Sequence, residues 1–251
     1  NIQSHYDLSN KFFSLFLDKE KLYSCGYFKS KNDTLATAQL NKLDLILDKC
    51  QIKPEHHILE IGTGWGAFAI RAAKRTGCRI TTITISKEQY DYTLQRITEE
   101  GLEEQINLLF CDYRDINGQF DRVISIEMIE AVGHRYLKDY FKAIERNLKP
   151  HGIALLQAIT YPDQFYAAYK RRADWIQKHI FPGSHLPSLS AIQSICRKHT
   201  GLIFEDLDNL ALHYAKTLNE WHQRLTAARE EVLSLGFDEE FIRKWAFYFN
   251  S

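Results

Sequence analysis

An α/β fold with a mostly parallel sheet and helices on both faces is predicted by three observations. Short apolar, β-branched runs alternate with amphipathic stretches of about ten to fifteen residues through the middle of the chain, the pattern of repeated βαβ units. The first of these runs ends in three alternate glycines, Gly62, Gly64 and Gly66, directly ahead of an alanine-rich helical stretch. Such a strand–turn–helix junction lets the backbone approach a ligand closely. The length of 251 residues, with 45% hydrophobic and 25% charged side chains, is that of one globular domain and excludes a disordered chain.

The elements follow in order. Asp7 to Leu17 reads as a helix, and so does Asp33 to Cys50, where Leu40, Leu43, Ile46, Leu47 and Cys50 recur on one face. After Pro54 the rhythm changes to His57–Ile61 (strand), Ala67–Lys74 (helix), Arg79–Ile85 (strand) and Glu88–Glu100 (helix). Ile106–Cys111 and Arg122–Ile126 are further strands, and His134–Leu148 is an amphipathic helix. Pro150-His151-Gly152 reads as a turn before the strand Ile153–Ile159. Beyond Thr160 the alternation stops. A helix from Gln164 to Ile180, the loop Phe181–Pro187 and a helix from Leu189 to Lys198 are expected as an insertion over the ligand edge of the sheet. Leu202–Leu210 reads as a strand, followed by a long helix over Lys216–Leu235 and a shorter one over Glu239–Phe249. The chain is accordingly divided into an N-terminal helical cover (1–53), a cofactor-binding core (54–160), a helical lid (161–200) and the rest of the core (201–251).

Thirty-two basic residues balance thirty-two acidic ones, so no polyanionic partner is indicated and nucleic acid is not expected. Lys170-Arg171-Arg172 is a local exception that could meet lipid headgroups. The five cysteines are odd in number and widely spaced, with no C-x-x-C pair. This pattern suggests neither a disulfide framework nor a metal site, and fits a reducing cytoplasmic compartment. No stretch reaches the roughly 18 apolar residues of a membrane span, so any membrane contact is expected at the surface. A first residue of Asn1 rather than Met suggests a trimmed piece.

Leu59-Glu60-Ile61-Gly62-Thr63-Gly64-Trp65-Gly66 carries the strongest chemical signal. Gly62-x-Gly64-x-x-Ala67 formally matches a dinucleotide fingerprint, which further requires an acidic residue about 20 positions on. No Asp or Glu occurs between Ala67 and Lys87, which counts against NAD. S-adenosylmethionine (AdoMet) fits better. Its ammonium wants a carboxylate just before the turn, here Glu60, whereas a pyrophosphate would want amide donors and no carboxylate. Asp112, past a strand end, is a candidate adenine contact. No P-loop, metalloprotease or nucleophile-elbow pattern occurs.

With Tyr23-Ser24-Cys25-Gly26-Tyr27-Phe28 added to the glycine motif, the sequence resembles the cyclopropane-fatty-acid synthase family, which includes the mycolic-acid cyclopropane synthases. Further motifs stand in the family's order. They are His5–Phe13, Thr84–Gln89, Ser125-Ile126-Glu127-Met128-Ile129-Glu130-Ala131-Val132-Gly133, Ile180–Gly183, and His213–Leu218 with Trp221. The resemblance covers nearly the whole chain and implies the class I methyltransferase fold, Rossmann-like, with N-terminal helices and a helical insertion over the active site. Full-length bacterial members continue into a closing strand, so the sheet here is expected to lack its last one.

By that resemblance AdoMet is held by Tyr23, Ser24, Glu60, Gly62, Thr63, Gly64, Gly66, Thr84, Ile85, Gln89, Asp112 and Tyr113. The family also binds bicarbonate beside the transferred methyl, through positions matching Cys25, Glu130 and Tyr214; a fourth contact, usually histidine, is Gln157 here. Cys25 is expected to donate through its backbone amide and Gln157 through its side-chain amide, with bicarbonate itself removing the proton. The implied reaction is methyl transfer to the double bond of an unsaturated phospholipid acyl chain at the inner membrane surface, giving a cyclopropane or a methyl-branched or methylene product. Aromatic faces, among them Phe165, Tyr166, Tyr169 and Trp175, are expected to line the acyl site or to pack in the core. A small-amine N-methyltransferase and a non-catalytic AdoMet- or lipid-binding protein are the alternatives.

Overall fold

The computed structural model describes residues 10–251; the start of the first predicted helix and residues 5–9 of the His5–Phe13 motif lie outside them. Five strands form one sheet in the order β3-β2-β1-β4-β5: β1 (His57–Ile61), β2 (Arg79–Thr84), β3 (Ile106–Phe110), β4 (Phe120–Ile126) and β5 (Leu148–Gln157). All four pairings are parallel. Strand order reverses beside β1, which pairs with β2 on one side and β4 on the other. A crevice therefore opens at the carboxyl ends of β1 and β4, where such sheets bind ligands.

Helices cover both faces of the sheet, so β1 and β2 are buried almost throughout, with Glu60, Thr81, Thr82 and Thr84 among the buried side chains. On one face pack α2 (Leu35–Lys49), α3 (Ala67–Thr76) and α4 (Lys87–Glu99), through Leu43, Ile46, Phe68, Ile70 and Ile97. On the other lie α5 (Leu137–Asn147) and α8 (Leu189–His199), through Tyr140, Phe141, Ile144, Ile192 and Cys196. A third, aromatic core joins α1 (Asn10–Phe16) to the C-terminal helices α9 (Ala211–Ala227), α10 (Arg229–Ser234) and α11 (Glu239–Phe249). Phe12, Phe16, Trp221 and Trp245 meet there edge-on or tilted, so residues 211–251 build on α1 rather than on the sheet.

Four predicted elements differ. Pro150-His151-Gly152 does not precede β5 but lies within it. A register shift between Phe120 and Arg122 opposes it, and His151 takes a positive φ of 64°, so the turn chemistry is absorbed as a bulge. The helix expected over Gln164–Ile180 is two, α6 (Asp163–Tyr169) and α7 (Trp175–His179). A capping box explains the break: Asp174 accepts from Gln177 N while the Gln177 side chain accepts from Asp174 N. Leu202–Leu210 forms no strand. Ile203 and Leu207 are exposed, and Asp206 and Asp208 instead pair with Lys49 of α2. Finally, the helix expected over Lys216–Leu235 starts earlier, at Ala211, and divides at Ala228. Among the described residues the sheet ends at β5.

Candidate active site

A cavity of about 380 Å³ occupies the crevice between β1 and β4. Of the twelve residues expected to hold the cofactor, Tyr23, Ser24, Glu60, Gly62, Thr63, Gly64, Thr84, Ile85, Gln89, Asp112 and Tyr113 line it. Gly66 does not. Its φ is +82° and a Cβ there would come within 2.7 Å of Thr93 Cγ2 on α4, so this glycine lets the turn close against the neighbouring helix. Gly64 has φ +54° and open space where its side chain would be; that space is the cavity.

Glu60 is buried at the end of β1, and its Oε2 accepts a 2.6 Å bond from Thr82. Burial pushes its carboxyl up to about 8, against the opposing effects of Thr82 and the Lys42 charge. A poorly solvated carboxylate beside an open glycine turn is a receptor for a cation. Thr84 donates to Gln89 Oε1 at 2.9 Å, fixing that amide. Asp112 is gripped by Arg114 through two 2.8 Å bonds, which hold its carboxyl below the usual range.

A second cluster lies behind Tyr23 and Ser24. Glu127, at the carboxyl end of β4, uses Oε1 to accept from Cys25 N at 2.8 Å and from Gln157 Nε2 at 2.8 Å. Gln157 Nε2 also donates to Cys25 O at 3.1 Å. Burial, with the Glu127 charge, pushes the Cys25 thiol up to about 12, so it is no nucleophile. Glu130 sits in the single helical turn Ile129–Ala131 and accepts from Ile159 N at 2.5 Å. Its Oε2 is buried without a partner among the described residues. Burial and the neighbouring Glu127 push its carboxyl up to about 8. Tyr214, on α9, packs edge-on to Trp221, and burial raises its hydroxyl well above the ordinary value. Cys25 and Gln157 therefore converge on Glu127, and Glu130 and Tyr214 lie near enough to feel its charge, while of these five only Glu127 reaches the cavity wall.

The sequence profile of the mycolic acid cyclopropane synthetase family matches residues 1–251. The chain belongs to this family. It is 45% identical, over 99% of its length, to a tuberculostearic acid methyltransferase of Mycobacterium tuberculosis, covering 60% of that relative. It is 38% identical, over 99% of its length, to the cyclopropane-fatty-acyl-phospholipid synthase of Escherichia coli, covering 62% of it. The chain thus spans about three fifths of these two relatives. The fold superposes with a TM-score of 0.91 and 32% identity on mycolic acid cyclopropane synthase CmaA1 complexed with SAH and CTAB, covering 99% of this chain and 90% of that one. The fold is that of the AdoMet-dependent methyltransferases.

Two residues of this family member escaped the sequence reading. Lys42 is fully buried on α2 and donates to Ser24 Oγ at 2.5 Å. Burial pushes its ammonium down to about 8, opposed by the charges of Glu127, Cys25, Asp18 and Glu60. Its place four residues before Ile46, on the apolar stripe, was the available signal. Glu127 stood inside a quoted motif, and a carboxylate at the end of the strand beside Glu60 could have marked it. Two of the named aromatics take the packing alternative. Tyr166 is buried, its hydroxyl lying 2.8 Å from both His134 Nδ1 and His185 Nε2, and Tyr169 stacks on Tyr161 at 4.0 Å. They hold the lid together. Among the described residues no group of three His, Cys, Asp or Glu could hold a metal ion.

Proposed function

We propose that this chain transfers the methyl group of AdoMet to the double bond of an unsaturated phospholipid acyl chain, giving a cyclopropane or a methyl-branched or methylene product. The observation that carries the reading is the cavity at the strand switch, which places Glu60, the open face of Gly64 and Gln89 around one volume of cofactor size. A related structure holding SAH and CTAB together supports a second ligand beside the cofactor. When bound, AdoMet supplies an electrophilic methyl, and the alkene π pair makes the new C–C bond as sulfur leaves as a thioether.

An isolated alkene is a weak nucleophile, so the protein's contribution is placement and exclusion of water; good orientation is worth roughly 7–11 kcal/mol. Tyr23 lines the cavity and is backed by Phe13 at 5.3 Å and Trp221 at 5.2 Å. Its ring face can stabilise cationic charge on the chain by about 0.5–2 kcal/mol. Helix α7 and the loop after it bring Trp175, Ile176 and Phe181 onto the aromatic core.

Membrane engagement would be peripheral. No helix among the described residues is long and apolar enough to cross a membrane. Lys170, Arg171 and Arg172 are exposed between α6 and α7, form no ion pair among the described residues and border a second cavity of about 230 Å³. An anionic inner leaflet suits such a loop.

The test is incubation with AdoMet and either vesicles of unsaturated phospholipid, saturated phospholipid or a panel of small amines. Mass spectrometry should show acyl chains gaining one CH₂ only from the unsaturated lipid. Methylated amine with untouched lipid would replace this reading by an N-methyltransferase.

A further inference from the structure

Bicarbonate is the ion that the family resemblance places beside the reacting carbons, and the donors expected to hold it are already engaged. The single backbone N–H of Cys25 goes to Glu127 Oε1 at 2.8 Å. A side-chain amide has two N–H bonds; those of Gln157 go to Glu127 Oε1 at 2.8 Å and Cys25 O at 3.1 Å. The Tyr214 hydroxyl is hydrogen-bonded to Tyr248, so an added anion would find no expected donor left, and would face the carboxyls of Glu127 and Glu130. Burying an anion without donors, beside the Glu127 carboxylate, is strongly unfavourable. The residues present do not fit the ion.

They fit a resident carboxylate instead. Glu127 occupies the place where the Cys25 and Gln157 donors converge, and it lines the cofactor cavity. No hydrogen bond reaches its Oε2 among the described residues. Its backbone takes a left-handed φ of 48°, rare for a side-chain-bearing residue, and its N–H is pinned by Gln157 O at 2.7 Å. Strain of this kind at a ligand site persists where the side chain must be held in one place.

We propose that the Glu127 carboxylate takes the place of bicarbonate in this protein and is the group that accepts the proton lost by the methylated acyl chain. The proposal rests on the functional reading above. In the step, the C–H bond of the cationic methylated chain breaks and its proton bonds to a Glu127 oxygen. The freed electron pair closes the ring or forms the new double bond, and the carboxylic acid later returns the proton to solvent. Burial raises the proton affinity of Glu127, while the Cys25 N–H, Lys42 and the Gln157 amide favour its ionised form. Gln157 cannot take a proton and is a positioning residue.

Two measurements on the full chain test this. First, binding of ¹³C-labelled bicarbonate is followed by NMR in the presence of SAH. Wild type should bind none, whereas Glu127→Gly, whose glycine accepts the left-handed φ without strain and frees both donors, should bind it. Wild type binding bicarbonate as tightly as Glu127→Gly would overturn the proposal, whatever the substrate proves to be. Second, turnover on unsaturated phospholipid is measured in carbonate-stripped buffer and with bicarbonate restored. Wild type should be indifferent within twofold. Glu127→Gly should lose at least a hundredfold in stripped buffer and recover at least tenfold on adding the ion, and Glu127→Gln, which keeps the site filled but cannot accept a proton, should not recover. AdoMet binding by calorimetry confirms that each variant is folded. A wild-type rate that collapses in stripped buffer would overturn the proposal and leave the functional reading standing. No product from any unsaturated lipid would instead remove the functional reading, while the binding measurement still decides which anion fills the site.

Discussion

Glu60 and Thr82 are register partners on adjacent strands, and the threonine hydroxyl gives the buried carboxylate its 2.6 Å hydrogen bond. Thr82 in turn lies 2.7 Å from Thr63 Oγ1 in the glycine turn. One hydroxyl is little solvation for a buried anion, so Glu60 holds its proton up to about 8, against an ordinary value of 4.5. A cofactor ammonium favours the ionised form. AdoMet binding at pH 7 should therefore release a proton, and affinity should rise with pH and level off near 8. In the unliganded protein the sign is opposite. The folded state holds the extra proton, so this group's stabilisation is full below 4.5 and is lost as pH rises through about 8. Calorimetry in two buffers of different ionisation enthalpy counts the proton. Glu60→Gln should weaken binding about tenfold, near 1.4 kcal/mol, and abolish the release; a proton-neutral wild type would contradict the assignment.

Gly64→Val should abolish AdoMet binding while leaving the fold in place. Apart from its chain neighbours, no atom lies within 4 Å of the added Cβ, so the new side chain intrudes on the cavity that Gly64 lines. The φ of +54° adds strain of about 1–2 kcal/mol. A folded variant with near-native affinity would reject this placement of the cofactor.

Glu130→Gln mimics the protonated carboxyl, keeps an acceptor for Ile159 N and should leave the melting temperature within a few degrees of wild type. Glu130 titrates at about 8 because burial and the Glu127 charge oppose its ionisation. The variant should bind AdoMet normally yet turn over at least tenfold more slowly, without the wild-type change in rate around pH 8. An unaltered pH–rate profile would detach Glu130 from the chemistry.

The lid offers two neighbouring aromatics with opposite fates. Phe165 is 64% exposed and Tyr166 is 7% exposed. Phe165→Ala should lower lipid turnover and spare AdoMet affinity. Tyr166→Phe removes a hydroxyl that lies 2.8 Å from both His134 and His185 and should cost about 1–3 kcal/mol of stability. Thermal melts and vesicle assays on both variants separate the roles; equal melting losses would make Phe165 structural.

Charge reversal of the basic loop, Lys170, Arg171 and Arg172 each to Glu, should reduce sedimentation with anionic vesicles more than tenfold. Activity on detergent-dispersed lipid should stay within threefold. Unchanged sedimentation would place the membrane contact elsewhere.

Much of the cofactor side of the site was legible because its signals are local. The carboxylate, the alternate glycines and the helix start fall within eight consecutive residues, Leu59 to Gly66, and a strand–turn–helix has few ways to fold. The lid break was also written locally, in Asp174 and Gln177, but a continuous helical periodicity on either side masked it. Leu202–Leu210 shows the reverse: a strand pattern in sequence with no ladder, because pairing depends on a partner edge and Asp206 and Asp208 found Lys49 first.

By itself the sequence determined β1 and α11 to the residue, the parallel α/β plan, and the glycine turn that lines the cavity, since periodicity and glycine act over a few neighbouring positions. Tertiary structure alone decided the cluster around Glu127. Glu127 meets a backbone N–H 102 positions away and an amide 30 positions away. Its left-handed φ of 48° occurs together with those bonds. Lys42 likewise looks like an ordinary helical lysine until Ser24 and the surrounding carboxylates close over it. A charge can be buried only where distant groups converge to compensate it, and that convergence has no spacing in the sequence to announce it.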